Sequence, residues 1–138
     1  MNDIKKFSDL NLDKWLLKNI DYLKYEKPTP IQQIAIPKVL KKENIIAIAN
    51  TGTGKTAAFL LPIIQKITEK ADRKFTSALI IVPTRELATQ IDQAIQAYGY
   101  FTDISSIPIY GGGDGKIFNQ ERHALESGAD IVVATPGR

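Results

Sequence analysis

The chain has no cysteine and only one tryptophan, one methionine and one histidine. Without cysteine, disulfides and thiolate chemistry are excluded, and a reducing compartment is permitted. The single histidine, His123, falls on a polar helical stretch and reads as solvent-facing rather than catalytic. Met1 to Ser8 holds no apolar run of signal-peptide length, and no segment is apolar for long enough to span a bilayer. The expectation is a cytoplasmic protein with no membrane partner. Internal repeats and low-complexity tracts are also lacking. What remains is ordinary for a globular chain of 138 residues, with 43% apolar and 24% charged residues. That length allows burial of roughly two-thirds of the unfolded surface, enough for a core. The net charge of +3 and a pI near 9.1 are compatible with a polyanion partner.

One stretch organises the rest: Ala49-Asn50-Thr51-Gly52-Thr53-Gly54-Lys55-Thr56. An apolar run, Ile45 to Ala49, reads as a strand leading in, and Ala57 to Leu61 reads as a helix leading out. Strand, glycine loop and helix in that order form the context of a phosphate-binding loop. The glycines let successive N–H groups converge, and the helix N-terminus adds partial positive charge. Lys55 supplies a full charge for the outer phosphates, and the Thr56 hydroxyl is suited to hold Mg²⁺. Ala49 stands where glycine usually opens the pattern.

The N-terminal arm, Met1 to Asn11, carries Phe7 and precedes a helix capped by Asn11 or Asp13. Leu12, Leu16, Ile20 and Leu23 recur at helical spacing and mark its buried face, with Trp15 read as packing. Thr29 and Pro30 suit the cap and first position of a second helix, and Gln32 completes a capping box. Pro37 and Pro62 fall inside helices and predict bends. Ala78 to Val82 is apolar throughout, as a strand covered on both faces would be. Thr84 caps a helix over Arg85 to about Tyr98. Ile104 to Tyr110 is a weaker strand because it holds Pro108. After Gly111-Gly112-Gly113 comes a helix near Phe118 to Glu126, then a strand at Ile131 to Ala134. Strands alternating with helices predict an α/β protein with a parallel sheet. The loops at Ala49–Thr56, Pro83–Arg85, Gly111–Gly113 and Thr135–Arg138 are then expected along one ligand-binding edge.

These segments together resemble the first RecA-like domain of a DEAD-box RNA helicase. Phe7 with Tyr25-Glu26-Lys27-Pro28-Thr29-Pro30-Ile31-Gln32 resembles the family's adenine-reading segment. Ala49 to Thr56 matches its phosphate loop, in which alanine is the usual opener. Pro83-Thr84-Arg85-Glu86-Leu87-Ala88, Tyr110-Gly111-Gly112 and Thr135-Pro136-Gly137-Arg138 match its RNA-contacting segments. The resemblance implies a doubly covered parallel sheet of the P-loop NTPase type. It implies ATP bound by Phe7, Tyr25, Thr29, Gln32 and the loop residues Ala49, Asn50, Thr51, Gly52, Thr53, Gly54, Lys55 and Thr56. Tyr25 would stack on adenine, and Gln32 would bond its edge with both ends of the amide. Lys55 and Thr56 would be the catalytic pair, with Mg²⁺ on Thr56. Pro83, Thr84, Arg85, Gly111, Gly112, Thr135, Pro136, Gly137 and Arg138 would hold the backbone of one RNA strand. Three positions depart from the family pattern. Lys24 stands where glycine usually precedes the aromatic, Asn50 replaces glutamine, and the connection from Gly111-Gly112 to Leu125 is a residue or two longer.

Residues 1–44 are expected to form the arm and adenine-reading segment, and residues 45–138 a partial ATP-binding domain. Hydrolysis in this class needs an aspartate closing an apolar strand and a glutamate beside it. No apolar run here ends in Asp-Glu, and Asp130 precedes its strand. The expectation is therefore an N-terminal piece of a longer helicase, or a truncation of one. It would stop before the Asp-Glu-Ala-Asp strand, be catalytically silent alone, and lack the second RecA-like domain as its partner. Two other readings stay open: a different P-loop phosphotransferase, which would need clustered arginines, and a stand-alone RNA-binding or regulatory module without ATPase activity.

Overall fold

The computed structural model describes residues 5–111 and 115–137. Two compact units share the chain. The first comprises the described residues of Met1–Glu69 with Tyr98–Thr102, and the second those of Lys70–Ala97 with Asp103–Arg138.

The first unit is helical. A 3-10 turn at Phe7–Leu10 precedes α1 (Lys14–Tyr22), α2 (Pro30–Leu40) and α3 (Lys55–Thr68). Asp13 is the residue that begins α1, and Leu12, Leu16 and Ile20 form its buried face as their spacing requires. The helices α2 and α3 run unbroken through Pro37 and Pro62 and pack against each other. Along α3, Ala57, Ala58, Leu60, Leu61, Ile64 and Ile67 are buried. The buried Gln65 ties the start of α1 to α3, accepting from Asp13 N at 2.9 Å and donating to Asn11 O at 3.2 Å. After α1, Lys24 takes a left-handed φ of 60°. Its amide donates to Asp21 O, and Tyr25 N donates back to Ile20 O at 3.1 Å. This is a helix stop built on a conformation that normally selects glycine. A lysine makes this turn into Tyr25.

The second unit is a three-stranded parallel sheet with α4 (Arg85–Tyr98) and α5 (Gly115–Glu126). The strands β1 (Ala78–Ile81), β2 (Ser106–Ile109) and β3 (Ile131–Ala134) lie in the order β1-β3-β2. Ala78, Ser106 and Ile131 are in register at one end, and Ile81, Ile109 and Ala134 at the other. The central β3 is buried at all four positions. Pro108 is accommodated because β2 lies at an edge, where a missing N–H breaks no ladder. Asp130 fastens the lower end of all three strands. Its carbonyl accepts from Ser77 N and Ala78 N, and its buried carboxylate from Ser105 N (2.9 Å), Ser105 Oγ (3.1 Å) and Arg73 (3.4 Å).

Two strand expectations are corrected. Ile45 to Ala49 forms no strand, and Ile46 and Ile48 are 96% and 93% exposed. An extended apolar run becomes a strand only when a neighbour takes its backbone groups, and among the described residues none does. The strand β1 is not covered on both faces. Leu79, Ile107, Ile109, Val132 and Ala134 share one face by register, and on it Leu79 and Ile81 are 62% and 64% exposed. The α5 residues Phe118 and Leu125 line a groove of about 490 Å³ with Leu79, Ile109, Val132 and Ala134 rather than closing over β1.

Asp130→Ala is expected to lower unfolding free energy by about 1–3 kcal/mol, because the Ser105 N–H, the Ser105 hydroxyl and the Arg73 guanidinium lose their buried acceptor. Lys24→Gly is expected to raise it by up to about 1 kcal/mol through relief of the left-handed strain. Urea unfolding of the two variants checks both signs.

Candidate functional site

Residues 50–56 curl at the start of α3. Gly52 and Gly54 take φ of 78° and 83°, values open to glycine at no steric cost. Thr53 Oγ1 donates to Asn50 O at 2.7 Å, closing the turn. The Lys55 ammonium folds back onto the same turn, donating to Ala49 O and to Asn50 O, the latter at 3.1 Å. It remains exposed, as does Thr51, while Thr56 is half-buried.

Gln32 joins this loop to α2. Its Oε1 accepts from Thr29 N at 3.0 Å, and its Nε2 donates to Gly54 O at 3.1 Å. Those partners fix which end of the amide is oxygen. Gly54 O also accepts the first bond of α3, from Ala58 N at 3.1 Å. One buried glutamine thus holds two helix N-termini side by side. The expected capping box is present, with the Thr29 side chain at the Gln32 backbone N–H and the Gln32 side chain on Thr29 N, although the buried Thr29 Oγ1 sits too loosely for a full hydrogen bond. An amide side chain has two donor and two acceptor positions. Gln32 therefore keeps one of each in reserve.

These groups line one cavity of about 570 Å³ with Phe7, Tyr25, Gly52, Thr56 and Tyr98. That volume is in the range of ligand pockets. The Phe7 and Tyr25 rings stack with centroids 6.4 Å apart, and Tyr25 stays 39% exposed. The lining combines a buried threonine, a glycine-built curl and an aromatic face, groups suited to a phosphorylated ligand with a planar base, while the Lys55 ammonium is turned onto the Ala49 and Asn50 carbonyls. Tyr98 is a lining residue that helical periodicity did not single out; only the fold brings it to Tyr25.

The second cluster belongs to the sheet unit. Three parallel strands in register send Val82–Thr84, Tyr110–Gly111 and Thr135–Gly137 out at the same edge. Val82 N donates to Ala134 O and Thr135 N to Ile109 O, so the ladder extends into the loops. Thr84 Oγ1 accepts from Leu87 N at 3.2 Å and caps α4 as the sequence requires. The exposed Arg85 guanidinium sits 5.8 Å from the centre of the Tyr110 ring. Tyr110 N donates to Glu121 Oε1 at 3.3 Å, which fixes that loop from α5. Pro83, Pro136 and Gly137 are exposed, and Gly111 and Thr135 half-buried. Gly112, Gly113 and Arg138 lie outside the described residues.

The sequence from 29 to 138 matches the family model for the DEAD/DEAH box helicases. The chain belongs to the DEAD/DEAH box helicase family. It is 42% identical, over 98% of its length, to the probable ATP-dependent RNA helicase ddx3 of Dictyostelium discoideum, of which it covers 20%. It is 48% identical, over 96% of its length, to the ATP-dependent rRNA helicase RRP3 of Meyerozyma guilliermondii, covering 27%. The ATP-dependent RNA helicase CshA of Listeria monocytogenes is 41% identical over 96% of this chain, with 25% of that protein covered. The chain thus spans about a fifth to a quarter of the length of these relatives. Family membership brings the RecA-like fold, and the parallel α/β sheet observed here belongs to it. Among the described residues of this helicase chain, no helix is long and apolar enough to cross a membrane.

The loop geometry separates the two left-handed glycines. A Cβ at Gly52 meets nothing within 4 Å, whereas one at Gly54 meets Gln32 Nε2 at 2.4 Å. Gly52→Ala is expected to cost about 1–2 kcal/mol from backbone strain alone. Gly54→Ala is expected to cost about 1–2 kcal/mol more, because it also expels the buried Gln32 amide. Thermal unfolding of the two variants side by side measures that difference.

Proposed function

We propose that this chain is the ATP-binding and RNA-strand-binding part of an ATP-dependent RNA helicase. The observation that carries the reading is the single cavity in which the Gly52–Thr56 curl, Gln32 and Tyr25 meet. In it the loop amides would take the phosphates, and Lys55 would leave the Ala49 and Asn50 carbonyls to neutralise the outer ones. Ala49, Asn50, Thr51 and Thr53 would shape the curl. Tyr25, backed by Phe7, would stack on adenine. The donor and acceptor that Gln32 keeps in reserve match the paired acceptor and donor on the adenine edge. Reading the base therefore does not require Gln32 to release Thr29 or Gly54. Thr56 would hold Mg²⁺, which supplies charge neutralisation between the outer phosphates.

The three loops at the strand ends would carry one RNA strand. Pro83, Thr84, Arg85, Gly111, Gly112, Thr135, Pro136, Gly137 and Arg138 would contact its phosphates and sugars, a mode that positions a strand without reading bases. Hydrolysis is assigned to the full-length helicase, with the Asp-Glu pair and a second RecA-like domain, and this chain alone is proposed to be silent. Asp130 does not substitute for that pair, since its carboxylate is spent on Ser105 and Arg73. The phosphotransferase alternative is disfavoured for a related reason: Arg73 and Arg122 are each engaged with carboxylates rather than clustered. The cysteine-free composition suits a cytoplasmic setting.

Lys55→Ala in the full-length helicase is expected to abolish ATP turnover. Gln32→Ala is expected to remove about 1–3 kcal/mol of preference for ATP over GTP. Steady-state ATPase and GTPase rates read both, and retained ATP turnover in the Lys55 variant would refute the phosphate-loop assignment. Titration of labelled single-stranded RNA with and without ATP is expected to show tighter binding with ATP. Affinity indifferent to ATP would favour the stand-alone RNA-binding module.

A further inference from the structure

A tyrosine ring that is more than a third exposed does not hold one position unless something holds it. Tyr25 is in that situation, and the structure gives it two supports. Phe7 stacks on it at a 25° interplanar angle. On the other side, Tyr98 stands with its ring tilted by 60° and its centroid 6.3 Å away, and the two hydroxyls are 3.1 Å apart. Tyr98 is itself anchored. It is 7% exposed, it is the last residue of α4, and its carbonyl accepts from the buried Asn19 Nδ2. Burial, with the Tyr25 hydroxyl beside it, pushes the Tyr98 phenol well above the usual tyrosine range. Its proton therefore stays on throughout the physiological pH range.

We propose that Tyr98 is a positioning residue for base recognition: its hydroxyl holds the Tyr25 ring in the orientation that receives the purine of a nucleoside triphosphate. This rests on the adenine-binding reading of the cavity. Tyr98 does not touch the phosphates in this account. It acts through Tyr25 alone, and its contribution belongs to the base and not to the triphosphate. The pair also links sequence-distant segments, since 73 residues separate Tyr25 from Tyr98. A phenylalanine at position 98 would fill the same space and leave the Tyr25 hydroxyl without its intramolecular partner.

The test is isothermal titration of this chain with Mg-ATP and, as a base-free probe, with inorganic tripolyphosphate. The variants are Tyr98→Phe, Tyr25→Phe and the double substitution. Loss of one net hydrogen bond corresponds to about three- to tenfold in affinity. Tyr98→Phe is expected to weaken ATP by that factor while leaving tripolyphosphate unchanged. The double variant is expected to bind ATP no more weakly than the weaker single variant, because one bond is lost in each case. Unchanged ATP affinity in Tyr98→Phe overturns the proposal. So does an equal loss for ATP and tripolyphosphate, which is the signature of a merely structural role, and so does an additive double variant. Failure of the wild-type chain to bind either probe refutes the cavity reading itself, and this inference with it.

Discussion

The contact on which the first unit depends is the pair of hydrogen bonds made by the Gln32 amide. It takes the Thr29 N–H at one end and gives to the Gly54 carbonyl at the other. Neither bond is strong alone; a neutral hydrogen bond contributes about 0.5–1.5 kcal/mol net. Their value lies in geometry. Gly54 O is the carbonyl that starts α3, and Thr29 N belongs to the residue that starts α2. Tying them together sets two helix N-termini at one cavity and leaves no room for a side chain at position 54. The glycine there answers both a dihedral and a volume requirement, whereas Gly52 answers only the first. The same amide retains the hydrogen-bonding capacity that the proposed adenine contact needs. Structural and recognition roles for Gln32 are therefore compatible within one side chain.

The sheet unit rests on a different principle. Parallel strands in register turn three unrelated sequence segments into neighbours at one edge, with no contact among the loops required. Asp130 secures the opposite edge, and Glu121 and Tyr110 secure the loop after β2. The edge carrying Arg85 is thus built on a frame fixed from both ends. The exposed Leu79 and Ile81 show where this frame leaves apolar surface uncovered.

Much of this could be read from local sequence. The Thr84 cap, the span of α4 and the Pro30 helix start all depend on neighbours within a few residues, and each forms as its pattern demands. The glycine curl before α3 is legible for the same reason, because Gly52 and Gly54 serve dihedrals that the turn itself dictates. The failures share a cause. Ile45 to Ala49 has a strand's composition, but a strand is a statement about a partner, which composition does not supply. The apolar run in β1 signalled burial, but whether a face is covered depends on where a later helix lands. Lys24 hides its left-handed turn behind a side chain that disfavours it. Tyr98 reads as the end of an amphipathic helix, and its hydroxyl acquires a purpose only once α4 ends beside Tyr25.

The central claim is that the glycine curl and Gln32 form one nucleotide site. The most direct measurement is a ¹H–¹⁵N correlation titration of the chain with Mg-ATP. The account predicts that the largest shifts fall on the backbone amides of Gly52 to Thr56 and on the Gln32 side-chain amide, and that all saturate at one common dissociation constant. Shifts concentrated elsewhere, or a Gln32 amide that does not move when the loop does, would contradict it.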